Sequence, residues 1–221
     1  MRKMIKEYWE QGPPMSFIDK SLSYEEKRKF RYSLQDYMHE VFRFADFNGK
    51  LVLDLGCGAG IDSAEFARNG AYVISVDFAQ TSVISTRDLL REAGLPAYVV
   101  QAEATSLPFK EDAFDCVYCF GVLHHIPNVE EALAEIHRVL KPNGKVLVML
   151  YHQDSLLYAY SIVYLRGLKE GLLWKSTLDE ILSYYSERRE GNPYTRAYTK
   201  SEARKLFENF LIVFKLKFTI M

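Results

Sequence analysis

The sequence predicts an α/β fold whose centre is a doubly wound, mostly parallel β-sheet. Two observations point to it. Between residues 50 and 150, short apolar runs alternate with helical patterns, and a glycine-rich turn follows the first run. The strands of a parallel sheet are covered by helices on both faces, so they read as unbroken apolar runs. Strands that alternate with helices predict right-handed crossover connections between parallel neighbours.

The apolar runs and the residues that end each helical pattern define the core, element by element. Strands are predicted at 51–53, 71–76, 97–100, 114–121 and 145–150. The intervening helices are predicted to end near Asn69-Gly70, near Gly94 and before Pro142-Asn143-Gly144, because such turn residues do not continue a helix. Five strands alternating with helices therefore predict a single sheet with helices on both of its faces.

The segments on either side of the core are predicted to be mainly helical. Ser23 with Glu26, and Thr199 with Glu202, have the spacing of a capping box, which starts a helix. The second of these helices is expected to reach about residue 210, and a last strand is expected over 211–220. The predicted organisation is a single domain with four parts: an N-terminal helical lid (1–49), the core (50–152), a helical cap inserted after the fifth strand (153–198), and a final helix and strand (199–221).

Composition limits the possible functions. Of 221 residues, 48% are hydrophobic and 26% are charged, as in an ordinary globular domain. The net charge of −1 argues against a general binder of nucleic-acid backbones. Three cysteines are too few for a disulfide scaffold, and the chain shows no signal peptide and no apolar run long enough to span a bilayer. We therefore expect a cytoplasmic protein without an integral membrane segment and without a nucleic-acid partner.

The strongest local signal is the loop after the first strand. It reads Asp54-Leu55-Gly56-Cys57-Gly58-Ala59-Gly60, and Asp77 closes the second strand. Glycines at a strand-to-helix turn let the backbone approach a ligand closely, at the sheet edge where open α/β folds bind their ligands. A carboxylate at the end of the second strand can accept hydrogen bonds from both ribose hydroxyls. The pattern predicts a nucleoside-containing ligand.

The spacing of these glycines distinguishes between two cofactor classes. A dinucleotide fingerprint needs a third glycine at position 61, where this chain has Ile61. A pyrophosphate beside Asp54 would be repelled, whereas a ligand that carries an amine and a sulfonium would not. The loop therefore favours S-adenosylmethionine over NAD.

Further segments add to the loop in chain order, and together they resemble a known family. The segments are Asp54 to Gly60, Val76-Asp77-Phe78, Glu103-Ala104 leading to Leu107-Pro108-Phe109, Phe114-Asp115, Gly121 to Ile126, and Arg138 to Gly144. The chain resembles the class I S-adenosylmethionine-dependent methyltransferases, in the group of ubiquinone/menaquinone-biosynthesis and sterol-type enzymes. The resemblance covers about Leu51 to Tyr151 and implies a Rossmann-like fold with S-adenosyl-L-methionine as cofactor.

The resemblance also implies roles for individual residues. The residues expected to bind the cofactor are Asp54, Gly56, Cys57, Gly58, Gly60, Asp77, Phe78, Glu103, Ala104 and Phe120. The glycine loop would hold the methionine part, with Asp54 near its amine. Asp77 would bind the ribose and Phe78 would lie against the adenine. Glu103 and Ala104 would face the adenine edge, although many relatives carry Asp where this chain has Glu103.

Methyl transfer is a displacement on a sulfonium, so the protein mainly supplies alignment and exclusion of water. A base is needed only where the acceptor must lose a proton. His124 and His125 follow the fourth strand, where the acceptor should lie, and both are candidate catalytic bases. The alternative is that they pack under the cap and transfer no proton. Asp154 could orient one of them, because the fifth strand ends without an acid.

Two other motifs are interpreted as structural. Cys116 and Cys119 lie three apart on a strand and therefore face opposite sides, which predicts two core cysteines and no metal site. Asn192-Pro193-Tyr194 is interpreted as a turn, because it stands far from the fourth strand, where methyltransferases that act on amino groups carry a similar motif.

Function follows from these predictions as an expectation. The sequence predicts methyl transfer to a small, apolar or aromatic acceptor in a pocket closed by the aromatic N-terminal segment and the cap, which should meet over His124 and His125. Two alternatives stay open: a protein methyltransferase, and a module that binds S-adenosylmethionine without turning it over. The sequence does not determine the oligomeric state.

Overall fold

The computed structural model describes residues 1–13, 21–187 and 189–210, and a five-stranded parallel sheet lies at its centre. The strands are β1 Leu51–Leu55, β2 Tyr72–Asp77, β3 Tyr98–Gln101, β4 Phe114–Phe120 and β5 Leu140–Met149. Their spatial order is β3-β2-β1-β4-β5, and every neighbouring pair is parallel. The chain therefore reverses its direction of winding at β1, which confirms the predicted doubly wound sheet. The strand predicted over 211–220 lies outside the described residues.

Helices cover the sheet and extend beyond it. They are α1 Arg2–Glu10, α2 Tyr24–Leu34, α3 Met38–Phe42, α4 Ile61–Arg68, α5 Gln80–Glu92, α6 Val129–Val139, a π-helix at Tyr158–Lys169, α7 Leu178–Tyr185 and α8 Lys200–Leu206. The capping boxes predicted at Ser23 and at Thr199 are both formed. Helix α8 ends at Leu206, earlier than the predicted end near residue 210. None of the helices in the described ranges is long and apolar enough to cross a membrane.

Strand β4 shows how the sheet divides the apolar core into two layers. Cys116 and Tyr118 pack into the cluster formed with α2 to α5, whereas Val117 and Cys119 pack into the cluster formed with α6. Side chains along a strand alternate between the two faces, so this division follows directly from the sequence. The two cysteines are free and buried on opposite faces, as the sequence predicted.

Strand β5 begins earlier than predicted. Helix α6 ends at Val139 and the strand begins at Leu140, whereas the sequence placed its start at residue 145. The register explains the difference, because Phe114 pairs with Leu140 while Cys116 pairs with Lys145. The extra residues of β5 form an irregularity inside the strand, so the Pro-Asn-Gly turn is a bulge instead of a loop.

The cap segment, residues 153–198, has its own small apolar cluster, which joins the π-helix to α7. The buried members are Tyr158, Ile162, Ile181, Leu182 and Ala197. The two ends of the segment meet, because His152 and Tyr198 form a parallel bridge and the Gln153 amide donates to the Tyr198 carbonyl (3.0 Å). Because its two ends lie next to each other, the segment can be inserted between β5 and α8 without separating them.

Candidate functional site

The site begins at the loop between β1 and α4. The amides of Gly56 and Cys57 both donate to the Val76 carbonyl oxygen, at 2.7 and 3.0 Å. Gly56 has a φ of +80° and lies against Val122, where a Cβ would come within 2.2 Å of a methyl carbon. A side chain at residue 56 would thus be both strained and sterically excluded, which explains the glycine.

Asp77 links this loop to the end of β2. Its Oδ2 accepts from the Gly58 amide (3.0 Å), and its Oδ1 accepts from the Ala79 amide (2.9 Å). Burial raises the pKa of the Asp77 carboxyl, and the two backbone donors oppose that rise. Hydrogen bonds from the Phe78 amide and the Ser82 hydroxyl also oppose the rise, so the carboxylate is held in place from several sides.

A cavity of about 400 Å³ lies at the carboxyl edge of the sheet. It is surrounded by the loop after β1, by the ends of the neighbouring strands and by α1. Its lining includes the predicted residues Gly56, Asp77, Phe78, Glu103, Ala104 and His125. The lining side chains carry three carboxylates, on Asp77, Glu103 and Glu131, against one guanidinium, on Arg2. Carboxylates accept hydrogen bonds from hydroxyls and from an amine, and their negative charge attracts a sulfonium. The same charge would repel a pyrophosphate.

Helix α1 covers the cavity. Met1, Arg2, Ile5 and Trp9 line it, and the Arg2 guanidinium forms an ion pair with the Glu103 carboxylate. The N-terminal turn of α1 is therefore fixed to the end of β3, where the sequence expected the adenine. Arg2 is largely exposed, so this ion pair adds little to stability.

The other end of α1 is attached at two points. The Glu10 carboxylate accepts from the backbone amides of Gln80 and Thr81, at 2.9 and 3.2 Å, at the start of α5. Toward the cap, the Tyr8 hydroxyl donates to the Arg189 carbonyl oxygen, and the Arg189 guanidinium lies 4.3 Å from the centre of the Tyr8 ring. Helix α1 thus bridges the core and the cap above the cavity.

Several residues predicted to bind the cofactor do not line the cavity. They are Asp54, Cys57, Gly58, Gly60 and Phe120. Cys57 and Gly58 contact the Thr86 hydroxyl, which donates to the Gly58 carbonyl oxygen at 3.0 Å. Phe120 packs against Phe42, with ring centres 5.6 Å apart. These residues support the loop and the strand end from behind.

Asp54 lies beneath the loop. Its carboxyl accepts from the Ser63 hydroxyl, which in turn accepts from Ser75 (2.8 Å). Burial raises the pKa of Asp54 to about 7, with Asp62 and Asp77 adding to the rise and Ser63 opposing it. The carboxyl is therefore partly protonated at neutral pH, and a cation bound nearby would favour its ionised form.

The two predicted bases have different surroundings. His124 is fully buried, stacks on Tyr151 with ring centres 3.9 Å apart, and its ring nitrogens have no hydrogen-bond partner within the described residues. Burial lowers its pKa well below the ordinary value, so the ring is neutral. His125 lines the cavity, and the Trp9 ring lies against it at 5.0 Å.

The cap provides the hydrogen-bonding groups around His125. Its Nε2 is 3.3 Å from Oε1 of Glu187, and its Nδ1 is 3.2 Å from the Tyr194 carbonyl oxygen. Nδ1 also contacts the Asn192 amide nitrogen (3.2 Å) and the Thr195 hydroxyl (3.0 Å).

The sequence prediction did not include Glu187. It named Asp154 as a possible orienting acid, but the Asp154 carboxylate lies 4.0 Å from Nε2 of His152 instead. Asn192 and Tyr194 belong to the tripeptide interpreted as a turn. One sequence signal could have pointed to this part of the cap: the polar run Asn-Pro-Tyr-Thr at 192–195 follows closely after Glu187. Within the described ranges, no group of three or more His, Cys, Asp or Glu side chains is arranged to bind a metal ion.

The chain is similar in sequence to known methyltransferases. Residues 53–148 match the family model described as a methyltransferase domain. The ubiquinone/menaquinone biosynthesis C-methyltransferase UbiE of Blochmanniella pennsylvanica is 39% identical over 136 residues, which are 56% of this chain and 54% of that protein. A ubiquinone biosynthesis O-methyltransferase of Pseudomonas paraeruginosa is 30% identical over 120 residues, which are 54% of this chain and 52% of that protein.

A solved structure shows the same fold over a longer range. The YcgJ protein of Bacillus subtilis superposes with a TM-score of 0.57 and 26% identity, over 79% of this chain and 67% of that one. The chain spans about half the length of the curated relatives named above. Residues 53–148, which contain the glycine loop and the carboxylate at the end of β2, therefore match a methyltransferase domain in sequence.

Proposed function

We propose that the protein transfers a methyl group from S-adenosyl-L-methionine to a small acceptor that is apolar or aromatic. One observation carries the proposal. A single cavity joins a polar end, at Asp77 and Glu103, to an end lined by Trp9, Ile126 and His125. The first end suits a nucleoside and the second suits an apolar acceptor, so the two would be held side by side.

At the polar end, the chain's own groups match the parts of the cofactor. Asp77 would accept from the ribose hydroxyls, Phe78 would lie against the adenine, and Glu103 with Ala104 would face its edge. Gly56 lines the cavity and would hold the methionine part, while Asp54 and the rest of the glycine loop would support it from beneath. When bound, the cofactor supplies an electrophilic methyl group on a sulfonium.

At the other end, the cavity is lined by four apolar side chains and two polar ones, which are Ile5, Trp9, Ile126 and Pro127, and Asn128 and Glu131. Aromatic and aliphatic walls of this kind bind apolar or aromatic groups and exclude water. The relatives named above act in ubiquinone biosynthesis according to their names, which agrees with an acceptor of this class. Whether oxygen, carbon or another atom is methylated differs even between those two relatives.

His125 is the residue we propose as proton acceptor where the acceptor must lose a proton. It lines the cavity, whereas His124 is sealed beneath Tyr151 and has no access to it. A neutral imidazole is a suitable base near neutral pH.

Two alternative functions make different predictions. A protein methyltransferase would need the acceptor end to stay open to a polypeptide, but α1 and the cap meet across it through Tyr8 and Arg189. A module that only binds the cofactor would bind it equally well and release no demethylated product.

The cofactor assignment can be tested by calorimetry. S-adenosylhomocysteine should bind in the micromolar range and NAD should not. Replacing Asp77 with Ala should weaken binding by roughly 3–6 kcal/mol, from about 1.5–3 kcal/mol for each of two hydrogen bonds to a charged group. Asp77→Asn, which preserves the shape, separates the loss of charge from a loss of loop structure.

Asp88→Ala is the matched control, since Asp88 lies on α5 with an exposed side chain and does not line the cavity. Preferential binding of NAD, or unchanged affinity in both Asp77 variants, would contradict the cofactor assignment.

A further inference from the structure

We propose that Glu187 is a positioning residue for His125: it keeps the proton of the neutral ring on Nε2, which leaves Nδ1 as the proton-accepting atom. The inference rests on the proposed function, in which His125 takes the acceptor's proton. It assigns to the cap a part in the chemistry in addition to covering the cavity.

The first argument concerns Nε2. Oε1 of Glu187 lies 3.3 Å from this nitrogen and also accepts the Tyr151 hydroxyl at 2.8 Å. Burial, with the Glu187 charge adding to it, raises the pKa of Tyr151 well above its ordinary value, so the phenol stays protonated and donates. A carboxylate oxygen beside a ring nitrogen is favourable when that nitrogen carries hydrogen, so the neutral ring holds its proton on Nε2.

The second argument concerns Nδ1, whose neighbours suit both charge states of the ring. In the neutral ring, Nδ1 accepts from the Asn192 amide (3.2 Å) or the Thr195 hydroxyl (3.0 Å). Once protonated, it donates to the Tyr194 carbonyl oxygen (3.2 Å). Both charge states are thus hydrogen-bonded, and the imidazolium has Glu187 as its counter-ion.

Among the residues that the structure describes, Glu187 is the charged group in contact with His125. The ring of His124 is 4.3 Å away and neutral, and Trp9 from α1 carries no charge. Farther out, the Arg189 guanidinium lies over the Tyr8 ring and donates to the Tyr8 carbonyl oxygen (2.5 Å). Loss of the Glu187 charge should therefore act directly on the imidazolium.

In the proposed transfer, the acceptor atom forms a bond to the methyl carbon, and the sulfur–methyl bond breaks with its electron pair left on sulfur. The acceptor's proton ends on Nδ1 of His125, while the Nε2 proton stays between the ring and Glu187. Thr195 Oγ1 is hydrogen-bonded to Nδ1 and lies 2.9 Å from Ser186 Oγ. A hydroxyl both donates and accepts, so Thr195 can donate to Nδ1 of the neutral ring and accept from it once the ring is protonated.

The test uses the full chain labelled with ¹⁵N at histidine and needs neither cofactor nor acceptor. Long-range ¹H–¹⁵N spectra across a pH series report which nitrogen carries the proton and where the ring becomes doubly protonated. His125→Asn identifies the signals. In the wild type, the neutral ring should carry its proton on Nε2. In Glu187→Gln, the imidazolium loses its counter-ion, so its titration midpoint should move to lower pH.

Three further variants serve as controls. Tyr151→Phe removes a hydrogen bond to Glu187 but leaves the carboxylate, and Glu187→Asp keeps the charge, so both should titrate close to the wild type. Glu190→Gln changes an exposed acid near by and should have no effect.

A wild-type ring that carries its proton on Nδ1 would overturn the inference, and this result needs no variant to fold. An unchanged midpoint in folded Glu187→Gln would also overturn it. The NMR result does not depend on turnover. A protein with the expected titration but no methyl transfer would contradict the proposed function and leave the positioning role intact.

Discussion

Asp54 is a buried acid with a strong influence on how stability depends on pH. Its carboxyl lies beneath the glycine loop, and burial raises its pKa to about 7, with Asp62 and Asp77 adding to the rise. The pKa of an unfolded Asp is about 3.9, so the native protein binds the extra proton between these two values. Stability should therefore fall as pH rises from about 4 to about 7, and the loss should be complete above that range.

Replacing Asp54 with Asn removes this titration while keeping the size of the side chain. Between pH 4 and pH 8, the unfolding free energy of the wild type should fall by about 2–4 kcal/mol more than that of Asp54→Asn. The figure follows from about 1.4 kcal/mol for each unit of pKa shift. Urea denaturation of both proteins across this range measures the difference. Parallel stability curves would show that the carboxyl is ionised throughout.

The sequence predicted the acids and histidines at the strand ends but not their partners. Asp77 could be placed from its position at the end of a predicted strand, because the ends of parallel strands lie at one edge of the sheet, whereas Glu103 was placed by the resemblance. Glu187 could not, since its contact with His125 depends on how the cap folds back over β4. Its carboxylate is in an irregular segment that follows α7, where no periodicity fixes the direction of a side chain.

Among the elements, the turn from β1 into α4 is defined by how closely it approaches α5. Gly60 has a φ of +82°, and a Cβ there would lie 2.8 Å from the Cα of Thr86. A side chain at Gly60 must therefore push the backbone of α5 away. This glycine supports the loop without lining the cavity, which is a role that the motif alone does not reveal.

Gly60→Ala should lower stability by about 2–5 kcal/mol, because left-handed strain of about 1–2 kcal/mol adds to an overpacking cost of about 1–3 kcal/mol. Gly49→Ala is the matched control. It has a similar φ of +70° but nothing within 4 Å of its Cβ, so it should cost about 1–2 kcal/mol from strain alone. Thermal unfolding measures both variants, and equal losses would contradict the steric argument.

Most elements of the core were predictable because their signals are local. Strands 1 to 4 and helices α4 to α6 follow from apolar runs and turn residues, and the capping boxes at Ser23 and Thr199 formed as predicted. The early start of β5 could not be predicted, because Pro142-Asn143-Gly144 is typical of a loop. The pairing of residue 140 with β4 depends on tertiary contacts. The π-helix in the cap likewise has no sequence signal of its own.

For the whole molecule, the predicted lid has a clear geometric basis. Helix α1 lines the cavity with Arg2, Ile5 and Trp9, and it contacts the cap through Tyr8 and Arg189. We therefore expect α1 to move when ligands exchange, as in enzymes where a lid closes over the substrate. The four-part organisation remains a prediction that this geometry supports.

Hydrogen exchange can test the lid. Saturating S-adenosylhomocysteine should slow amide exchange in α1 by about tenfold or more, since bound ligand stabilises the closed form by at least about 1.4 kcal/mol. Helix α2 does not line the cavity and should serve as the internal control. Protection confined to residues 56–60, with α1 unaffected, would mean that α1 is no lid.

Residues 53–148 match the methyltransferase domain, and α1 and the cap, outside that range, lie beside the cavity near His125. The sequence therefore carries signals for a cofactor class, which lie in this core. It could not predict the acceptor, because Trp9 and the residues around His125 come from α1 and the cap. Their arrangement follows from packing between distant parts of the chain.

The most direct test of the central claim follows the methyl group itself. The protein is incubated with S-adenosylmethionine deuterated in its methyl group and a metabolite extract, and products are identified by mass spectrometry. The account predicts a labelled small molecule together with S-adenosylhomocysteine, both lost in Asp77→Ala. Label found on protein alone, or no S-adenosylhomocysteine despite cofactor binding by calorimetry, would contradict it.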